Sequence, residues 1–118
     1  MSGISDLTMR SVEFALDGLA ARGEVRADNM ANVNTPAFQA RTVDFEDALA
    51  QALERGSDPA SLEVPDPTVE PGIPDPNGNT VSMETELVGQ IEDSLLNQAL
   101  IHGYNFKLDV LRTALGAR

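Results

Sequence analysis

The side chains best suited to chemistry are one histidine and several carboxylates, and their spacing does not build a catalytic site. His102 is the only histidine in 118 residues, and no cysteine is present. A catalytic triad would have to form around His102, but no serine motif accompanies it. Glu84 and Glu86, like Glu92 and Asp93, are too close in sequence to share a helix face as a carboxylate pair. The sequence therefore predicts an ordinary helical position for His102 and no enzymatic activity.

Metal and phosphate sites are equally unsupported by the spacing of other residues. Asp66, Glu70 and Asp75 could bind calcium only weakly, because they lack the spacing of a calcium-binding loop. Gly18 and Gly23 lie within a helical pattern and do not follow a strand, as a phosphate-binding loop requires. We therefore expect no cofactor and no metal.

Negative charge is concentrated in the middle of the chain. The net charge is −11, of which residues 42–93 carry −12, whereas residues 1–41 carry −1 and residues 94–118 carry +2. This balance disfavours binding to nucleic acid, and no run of about 18 apolar residues could span a membrane. The N-terminus lacks the basic and apolar regions of a signal peptide, so we expect no cleaved signal.

Two stripes of apolar or small residues predict a long first helix over residues 3–34. One stripe has the alternating three- and four-residue spacing of a coiled coil and comprises Met9, Val12, Leu16, Leu19, Gly23, Arg26, Met30 and Val33. The second lies on roughly the opposite side of the helix and comprises Ile4, Leu7, Ser11, Phe14, Gly18, Ala21 and Val25. One stripe can bury against a helix of the same chain, and the other is expected to stay exposed in a monomer.

The first helix is predicted to stop near Val33, within a cluster of asparagines. Asn34 can adopt the left-handed geometry that closes a helix, and Pro36 cannot donate to a helical ladder. Asn29 and Asn32 lie in the last turns, where asparagine is a poor helix former unless its side chain has a partner. These two asparagines either form a surface that another molecule recognises or bond only to local carbonyl groups.

The middle of the chain contains one short helix and a long loop. Residues 35–56 hold the turn and a helix predicted over 44–55, where apolar residues recur at helical spacing. Residues 57–80 contain six of the seven prolines and predict an acidic loop or linker, since proline interrupts helices and central strands. A short strand pair within Leu62–Val69 is the only regular structure expected in this loop.

A second long helix is predicted over residues 82–116, with Ser82 as its N-cap. One stripe of alternating four- and three-residue spacing runs along its whole length and comprises Met83, Leu87, Gln90, Ser94, Asn97, Ile101, Tyr104, Leu108, Leu111 and Leu115. Val88, Ile91 and Leu95 add a second stripe, which predicts a helix enclosed on several sides.

The expected fold is mainly α. Two long antiparallel helices form a coiled-coil-like hairpin within a single domain, 1–118, and are joined by the short helix and the proline-rich acidic loop. The residues expected to pack within the chain are Val12, Leu16, Leu19 and Met30 against Leu87, Ile101, Leu108 and Leu115. The sequence leaves open which stripe faces inward, and the uncovered surface predicts an isolated chain that is partly disordered or self-associates. The candidate assembly surface comprises Leu7, Phe14, Val25, Asn29, Asn32, Asn34, Pro36, Phe38, Leu95, Ile101, Leu108 and Leu115.

The stretch Ala27–Phe38 resembles the N-terminal signature of the bacterial flagellar axial proteins, which are the rod and hook subunits. It carries the asparagines and the Asn-Thr-Pro triplet of that signature, with Asp28 at a position where asparagine is frequent and Ala37 where glycine is usual. Residues 77–116 are similar to the end of the rod protein at the base of the proximal rod. A chain of 118 residues without a large inserted domain fits that subunit better than the distal rod or hook proteins.

The resemblance implies a structural subunit of the flagellar basal body, located in the periplasmic proximal rod. It also implies export through the flagellar type III apparatus without a cleaved signal peptide, followed by helical assembly that links the membrane ring and export gate to the drive shaft. The implied partners are other rod subunits, copies of the same chain, a basal-body adaptor, the membrane ring and the export gate. The alternative is a soluble coiled-coil adaptor or chaperone of the export system, which would bind a helix without polymerising.

Overall fold

Three helices dominate the computed structural model, which describes residues 4–116 and their side chains from Leu7 onward. Helix α1 spans Ile4–Ala31, α2 spans Phe45–Glu54 and α3 spans Met83–Ala114. The molecule measures 63 Å along its longest axis. The predicted mainly helical fold is confirmed, although the predicted start of the first helix at residue 3 lies outside the described residues.

Helices α1 and α3 run antiparallel, as contacts at both ends show. Near the closed end of the hairpin, Arg26 contacts Glu86 at 3.3 Å, and toward the open end the Tyr104 hydroxyl donates to Glu13 at 2.9 Å. Ser82 caps α3, since its hydroxyl accepts a hydrogen bond from the Thr85 N–H at 3.2 Å. The predictions of a helical hairpin and of this N-cap are therefore confirmed.

The end of α1 differs from the prediction in both position and geometry. The helix ends at Ala31, and the chain leaves it through tight turns in which the Thr35 N–H donates to the Asn32 carbonyl at 3.0 Å. Ala37, with φ of 63°, is the only non-glycine residue with left-handed backbone geometry among residues 4–116. The prediction that Asn34 closes the helix in left-handed geometry is wrong. The helix ends three residues before Asn34, and the left-handed conformation occurs at Ala37, after the turns.

The segment between the long helices is more ordered than expected. Helix α2 lies within a residue of its predicted bounds, and a 3-10 turn, Pro59–Ser61, follows it. Strand β1, Arg41–Thr42, pairs antiparallel with β2, Thr68–Val69, so that Arg41 lies opposite Val69. The predicted strand pair within Leu62–Val69 is wrong, because the partner of β2 precedes α2 in the chain.

This middle segment buries the central part of the second stripe of α1, whereas Leu7 of that stripe is exposed. Phe14 and Val25 are only 4% and 7% exposed, and both belong to the core that Val43 and Phe45 complete. The rings of Phe14 and Phe45 meet edge to face with their centroids 6.5 Å apart. Gly18 allows this contact, since a Cβ atom there would overlap the Phe45 ring. The expectation that Phe14 and Val25 belong to an exposed assembly surface is therefore wrong.

Helix α3 faces α1 with residues that mostly differ from the predicted stripe, although Tyr104 belongs to both sets. The side toward α1 is marked by Glu86, Gly89, Asp93, Leu100 and Tyr104, whereas Leu87, Ile101 and Leu115 are exposed and Leu108 is half-buried. The predicted packing of Leu87, Ile101 and Leu115 within the chain is wrong. Charged side chains occupy much of the contact between the helices. The apolar pattern alone therefore places the facing side of α3 about one residue too far along the chain, at Leu87 and Ile101 where the structure has Glu86 and Leu100.

Candidate functional site

A cluster of buried polar side chains closes the hairpin at the end where α1 stops and α3 begins. This tip cluster consists of Asn29, Asn79 and Glu86, each no more than 1% exposed. The Asn29 amide donates to the Arg41 carbonyl at 2.8 Å and accepts from the Arg41 N–H at 3.1 Å. It also donates to Glu86 at 3.2 Å. Asn29 therefore joins α1 to β1 and α3, and the interpretation of Asn29 as part of a recognition surface is wrong.

The other predicted residues of the turn occupy different environments. Asn32 is half-buried and bonds locally, donating to the Asp28 carbonyl at 2.8 Å and accepting from the Thr35 hydroxyl at 3.0 Å. This geometry favours the local-bonding interpretation of Asn32. Asn34 and Pro36 are exposed and Phe38 is half-buried, so the structure brings these residues together as one turn but buries only part of it.

Asn79 is a member of the tip cluster that the sequence analysis missed. Its amide nitrogen donates to the carbonyls of Asn32 and Thr35 at 2.8 and 2.7 Å, and its amide oxygen accepts from the Val81 N–H at 2.7 Å. It thereby ties the segment before α3 to the turns that follow α1, whose carbonyls also accept from the N–H groups of Thr35 and Phe38. The signal available in the sequence was an asparagine directly after the turn residues Asn77 and Gly78.

A charge network extends the contact between α1 and α3 away from the tip. Asp93 accepts from Arg22 at 2.9 Å and from Arg26 at 2.8 Å, and Arg26 also contacts Glu86 at 3.3 Å. Gly89 makes room for Arg26, because a Cβ atom there would overlap the guanidinium group. Asp93 and Glu86 balance Arg22 and Arg26 within this partly buried network, and Arg22 also contacts the exposed Glu46 at 2.9 Å. Removing Asp93, which both arginines share, would leave poorly solvated positive charge.

Neighbouring charges and hydrogen bonds shift three pKa values. Burial lowers the pKa of Arg22, but its bonds to Asp93 and Glu46 outweigh burial and raise the pKa above its usual value. The Arg22 guanidinium also lies 4.6 Å from the centroid of the Phe45 ring. The hydrogen bond from Ala60 N–H, together with Arg10, lowers the pKa of Asp58, and the bond to Glu13 raises that of Tyr104. All three groups lie at contacts between α1 and the rest of the chain.

Helix α3 exposes two groups of apolar side chains. The outer stripe, on the side away from α1, comprises Leu87, Val88, Ile91 and Leu95. The terminal stripe, near the end of the helix, comprises Phe106, Val110 and Ala114. Ile91 and Leu95 are each 62% exposed and Phe106 is 69% exposed. Exposed apolar side chains at helical spacing make this side of α3 a candidate interaction site.

The side chains that could do chemistry do not gather into a metal site in the described part of the chain. Within residues 4–116, no group of three histidine, cysteine or acidic side chains could hold a metal ion. His102 is an exposed residue of α3, as expected. None of the described helices is both long and apolar enough to cross a membrane. The feature that remains as a candidate functional site is the apolar surface of α3.

Comparison with known proteins finds relatives that share one description, flagellar basal body rod protein FlgB. The chain is 35% identical to the flagellar basal body rod protein FlgB of Escherichia coli over 113 aligned positions, covering 79% of this chain and 81% of the relative. It is 33% identical to FlgB of Yersinia enterocolitica, with 79% and 82% covered. FlgB of Bacillus subtilis is 27% identical, with 92% of both chains covered. No protein-family model matches the chain.

A helical hairpin with a buried polar tip and exposed apolar side chains on α3 is the architecture of a mainly α protein with surface available for association. The relatives specify the family. The chain belongs to the FlgB family of flagellar basal body rod proteins, and the predicted resemblance to the proximal rod subunit is confirmed.

Proposed function

We propose that this chain is a structural subunit of the flagellar proximal rod and that the exposed apolar surface of α3 holds it in a helical assembly. The observation that carries the proposal is the outer stripe, whose four large apolar side chains lie on the side of α3 away from α1. Covering apolar surface contributes roughly 25 cal/mol per Å². Neighbouring subunits would therefore stabilise both α3 and the assembly.

The exposure of each side chain limits which of the predicted assembly residues can contact a neighbouring subunit. Leu95, Ile101 and Leu115 are exposed on α3, and Asn34 and Pro36 are exposed in the turn after α1. We propose these residues as contacts with neighbouring subunits. Phe14, Val25 and Asn29 are left out, because burial within the chain makes them inaccessible to a neighbour.

The remaining partners and the route to the rod follow from family membership and the sequence resemblance. We propose that the chain contacts other rod subunits, a basal-body adaptor, the membrane ring and the export gate, and that its role requires no catalysis. We also propose export by the flagellar type III apparatus without cleavage. The intact mass of the chain recovered from basal bodies tests cleavage, and its retention in cells lacking the export gate tests the route.

A pair of substitutions tests the proposed assembly surface. Leu95→Glu places a charge in the outer stripe and is expected to abolish rod assembly and motility while export of the variant continues. Ala50→Glu adds the same charge at an exposed position on α2, away from the outer stripe, and is expected to leave motility unchanged. Normal motility with Leu95→Glu would contradict the proposed surface.

The adaptor or chaperone alternative makes a different prediction. An adaptor would sediment as a small complex of fixed size with its partner and would be absent from purified basal bodies. A rod subunit is expected to be recovered within them, at a position that labelling of the chain would show.

A further inference from the structure

The turn that leads toward α3 contains an asparagine followed by a glycine, Asn77 and Gly78. The chain has seven asparagines, and only Asn77 precedes a glycine. The Asn77 side chain is exposed, and Asn79 of the buried tip cluster follows directly after Gly78. An accessible side-chain amide is thus joined to the element that closes the hairpin.

An Asn-Gly pair can react with its own backbone. The main-chain nitrogen of Gly78, after losing its proton, can attack the Cγ atom of Asn77, because glycine has no Cβ atom to obstruct the approach. The new C–N bond closes a succinimide ring and expels the side-chain nitrogen as ammonia. Water then opens the ring at either carbonyl and leaves aspartate or isoaspartate at residue 77. Water is the only co-reactant, and nothing is oxidised or reduced.

The closed turn holds both reacting groups in other bonds. The Gly78 N–H donates to the Asp75 carbonyl at 2.8 Å, and the Asn77 side-chain oxygen accepts from the Asn79 N–H at 3.1 Å. Attack also requires rotation of the peptide group between Asn77 and Gly78. The carbonyl of that group is fixed by the Ala37 N–H at 2.9 Å. The closed turn therefore opposes a reaction that exposure of the side chain alone would allow.

We propose that Asn77–Gly78 is a site of spontaneous deamidation, which closure of the hairpin tip suppresses and opening of the tip permits. Local opening sets the rate, because the reaction proceeds only while the bonds of the turn are broken. The modification accumulates in chains that stay open and spares chains that have closed.

Isoaspartate at residue 77 prevents the tip from closing again in its native geometry. The main chain then runs through the former side chain and gains one backbone atom, and the carbonyl that binds Ala37 becomes part of a free carboxylate. The next backbone contact, from the Thr80 N–H to the Phe38 carbonyl at 3.0 Å, is shifted out of register. Aspartate keeps the native backbone and an oxygen for the Asn79 N–H, so the aspartate product still closes.

Mass spectrometry of the full-length chain tests the proposal. The purified chain would be incubated at mildly alkaline pH in buffer and in guanidinium chloride, and fragmentation of its peptides would locate each modified asparagine. Labelling with an isoaspartate methyltransferase distinguishes the two products. Deamidation of Asn77 is expected to be about ten-fold faster or more in denaturant, since an opening cost of about 1.4 kcal/mol already lowers the open fraction ten-fold.

Three variants in buffer separate protection by the tip from other effects. Asn79→Ala removes the amide that binds the carbonyls of Asn32 and Thr35, and it is expected to raise the rate at Asn77 toward the denatured value. Asn34→Ala, at an exposed asparagine in the neighbouring turn, is the matched control and should leave the rate unchanged. Asn77→Gln should abolish the modification at this position, because the longer side chain closes the corresponding ring far more slowly.

Equal rates for the wild-type chain in buffer and in denaturant, or an unchanged rate in Asn79→Ala, would overturn protection by the tip. The comparison of the two solvents does not depend on whether Asn79→Ala folds. Modification mainly at another asparagine in denaturant would overturn the site itself.

The refolded isoaspartate form tests the effect on closure. It should unfold at a lower urea concentration than Asn77→Asp, and equal midpoints for the two would overturn the link between this modification and the tip. None of these outcomes bears on the proposed rod function, which recovery of the chain from basal bodies tests separately.

Discussion

The amide nitrogen of Asn29 lies 3.2 Å from a carboxylate oxygen of Glu86, and both side chains are almost fully buried. The contact joins the end of α1 to the first turns of α3, across 57 residues of sequence. Glu86 also accepts from Arg26 at 3.3 Å, so one carboxylate satisfies two donors on α1. The closed end of the hairpin is thus held by hydrogen bonds and charge as much as by apolar packing.

Replacing Glu86 should destabilise the chain strongly. Glu86→Ala leaves Asn29 and Arg26 short of an acceptor in a buried environment and is expected to cost about 3–5 kcal/mol in the free energy of unfolding. Glu84→Ala, at an exposed position two residues earlier, should change it by less than about 0.5 kcal/mol. Urea unfolding followed by circular dichroism measures both, and similar midpoints for the two variants would contradict the role assigned to Glu86.

Two glycines in α1 should respond in opposite ways to the same substitution. Gly18→Ala forces a Cβ atom into the Phe45 ring and is expected to destabilise the chain by about 1–3 kcal/mol. Gly23 has no neighbouring atom within 4 Å of the position of a Cβ, so Gly23→Ala should stabilise α1 by about 0.8–1 kcal/mol. Thermal unfolding of both variants provides the measurement. A stabilising effect at Gly18 would show that α2 does not pack closely on α1.

Ala37 offers a site where glycine should increase stability. Left-handed geometry costs a residue with a Cβ roughly 1–2 kcal/mol, and glycine avoids that cost. Glycine also makes the unfolded chain more flexible, which lowers stability by about 0.4–1 kcal/mol and offsets part of the gain. Ala37→Gly is therefore expected to raise the free energy of unfolding by up to about 1 kcal/mol. Ala20→Gly, at an exposed position inside α1, should lower it by about 1 kcal/mol. If both variants lose stability in urea, residue 37 does not have the positive φ seen here.

The lowered pKa of Asp58 predicts a small loss of stability in acid. The Ala60 N–H and Arg10 favour the charged carboxylate, so its contribution is present above the ordinary pKa of 3.8 and is lost as pH falls through the lower folded value. Asp58→Asn should therefore be less stable than the wild type at neutral pH and equally stable in strong acid. Asp66→Asn, an exposed aspartate of the same loop, serves as the control. A difference between wild type and Asp58→Asn that stays constant with pH would contradict the prediction.

The elements of the fold were largely predictable because local signals fix them. The hydroxyl of Ser82 and the spacing of apolar residues in α2 act within a few residues of the helix ends that they define. The resemblance in Ala27–Phe38 led to the correct family for the same reason, since it depends on residue types and not on packing.

The arrangement of surfaces was less predictable because it depends on distant residues. Burial of Phe14 and Val25 requires the middle segment to fold back over α1, which periodicity within α1 cannot reveal. The facing side of α3 is set by Arg22 and Arg26 meeting Asp93, so charges define a register that an apolar pattern cannot locate. Asn79 was missed because its partners, Asn32 and Thr35, lie more than 40 residues earlier.

The polar character of the tip cluster has a consequence for a subunit that, as we propose, is threaded through a narrow secretion channel. Water can solvate Asn29, Asn79 and Glu86 once the hairpin opens. Separating the helix ends at these three residues therefore exposes polar rather than apolar side chains. The same groups rejoin only in one geometry, because each donor must meet its own acceptor. The closure thus permits passage in extended form and still specifies how the two helices align on arrival.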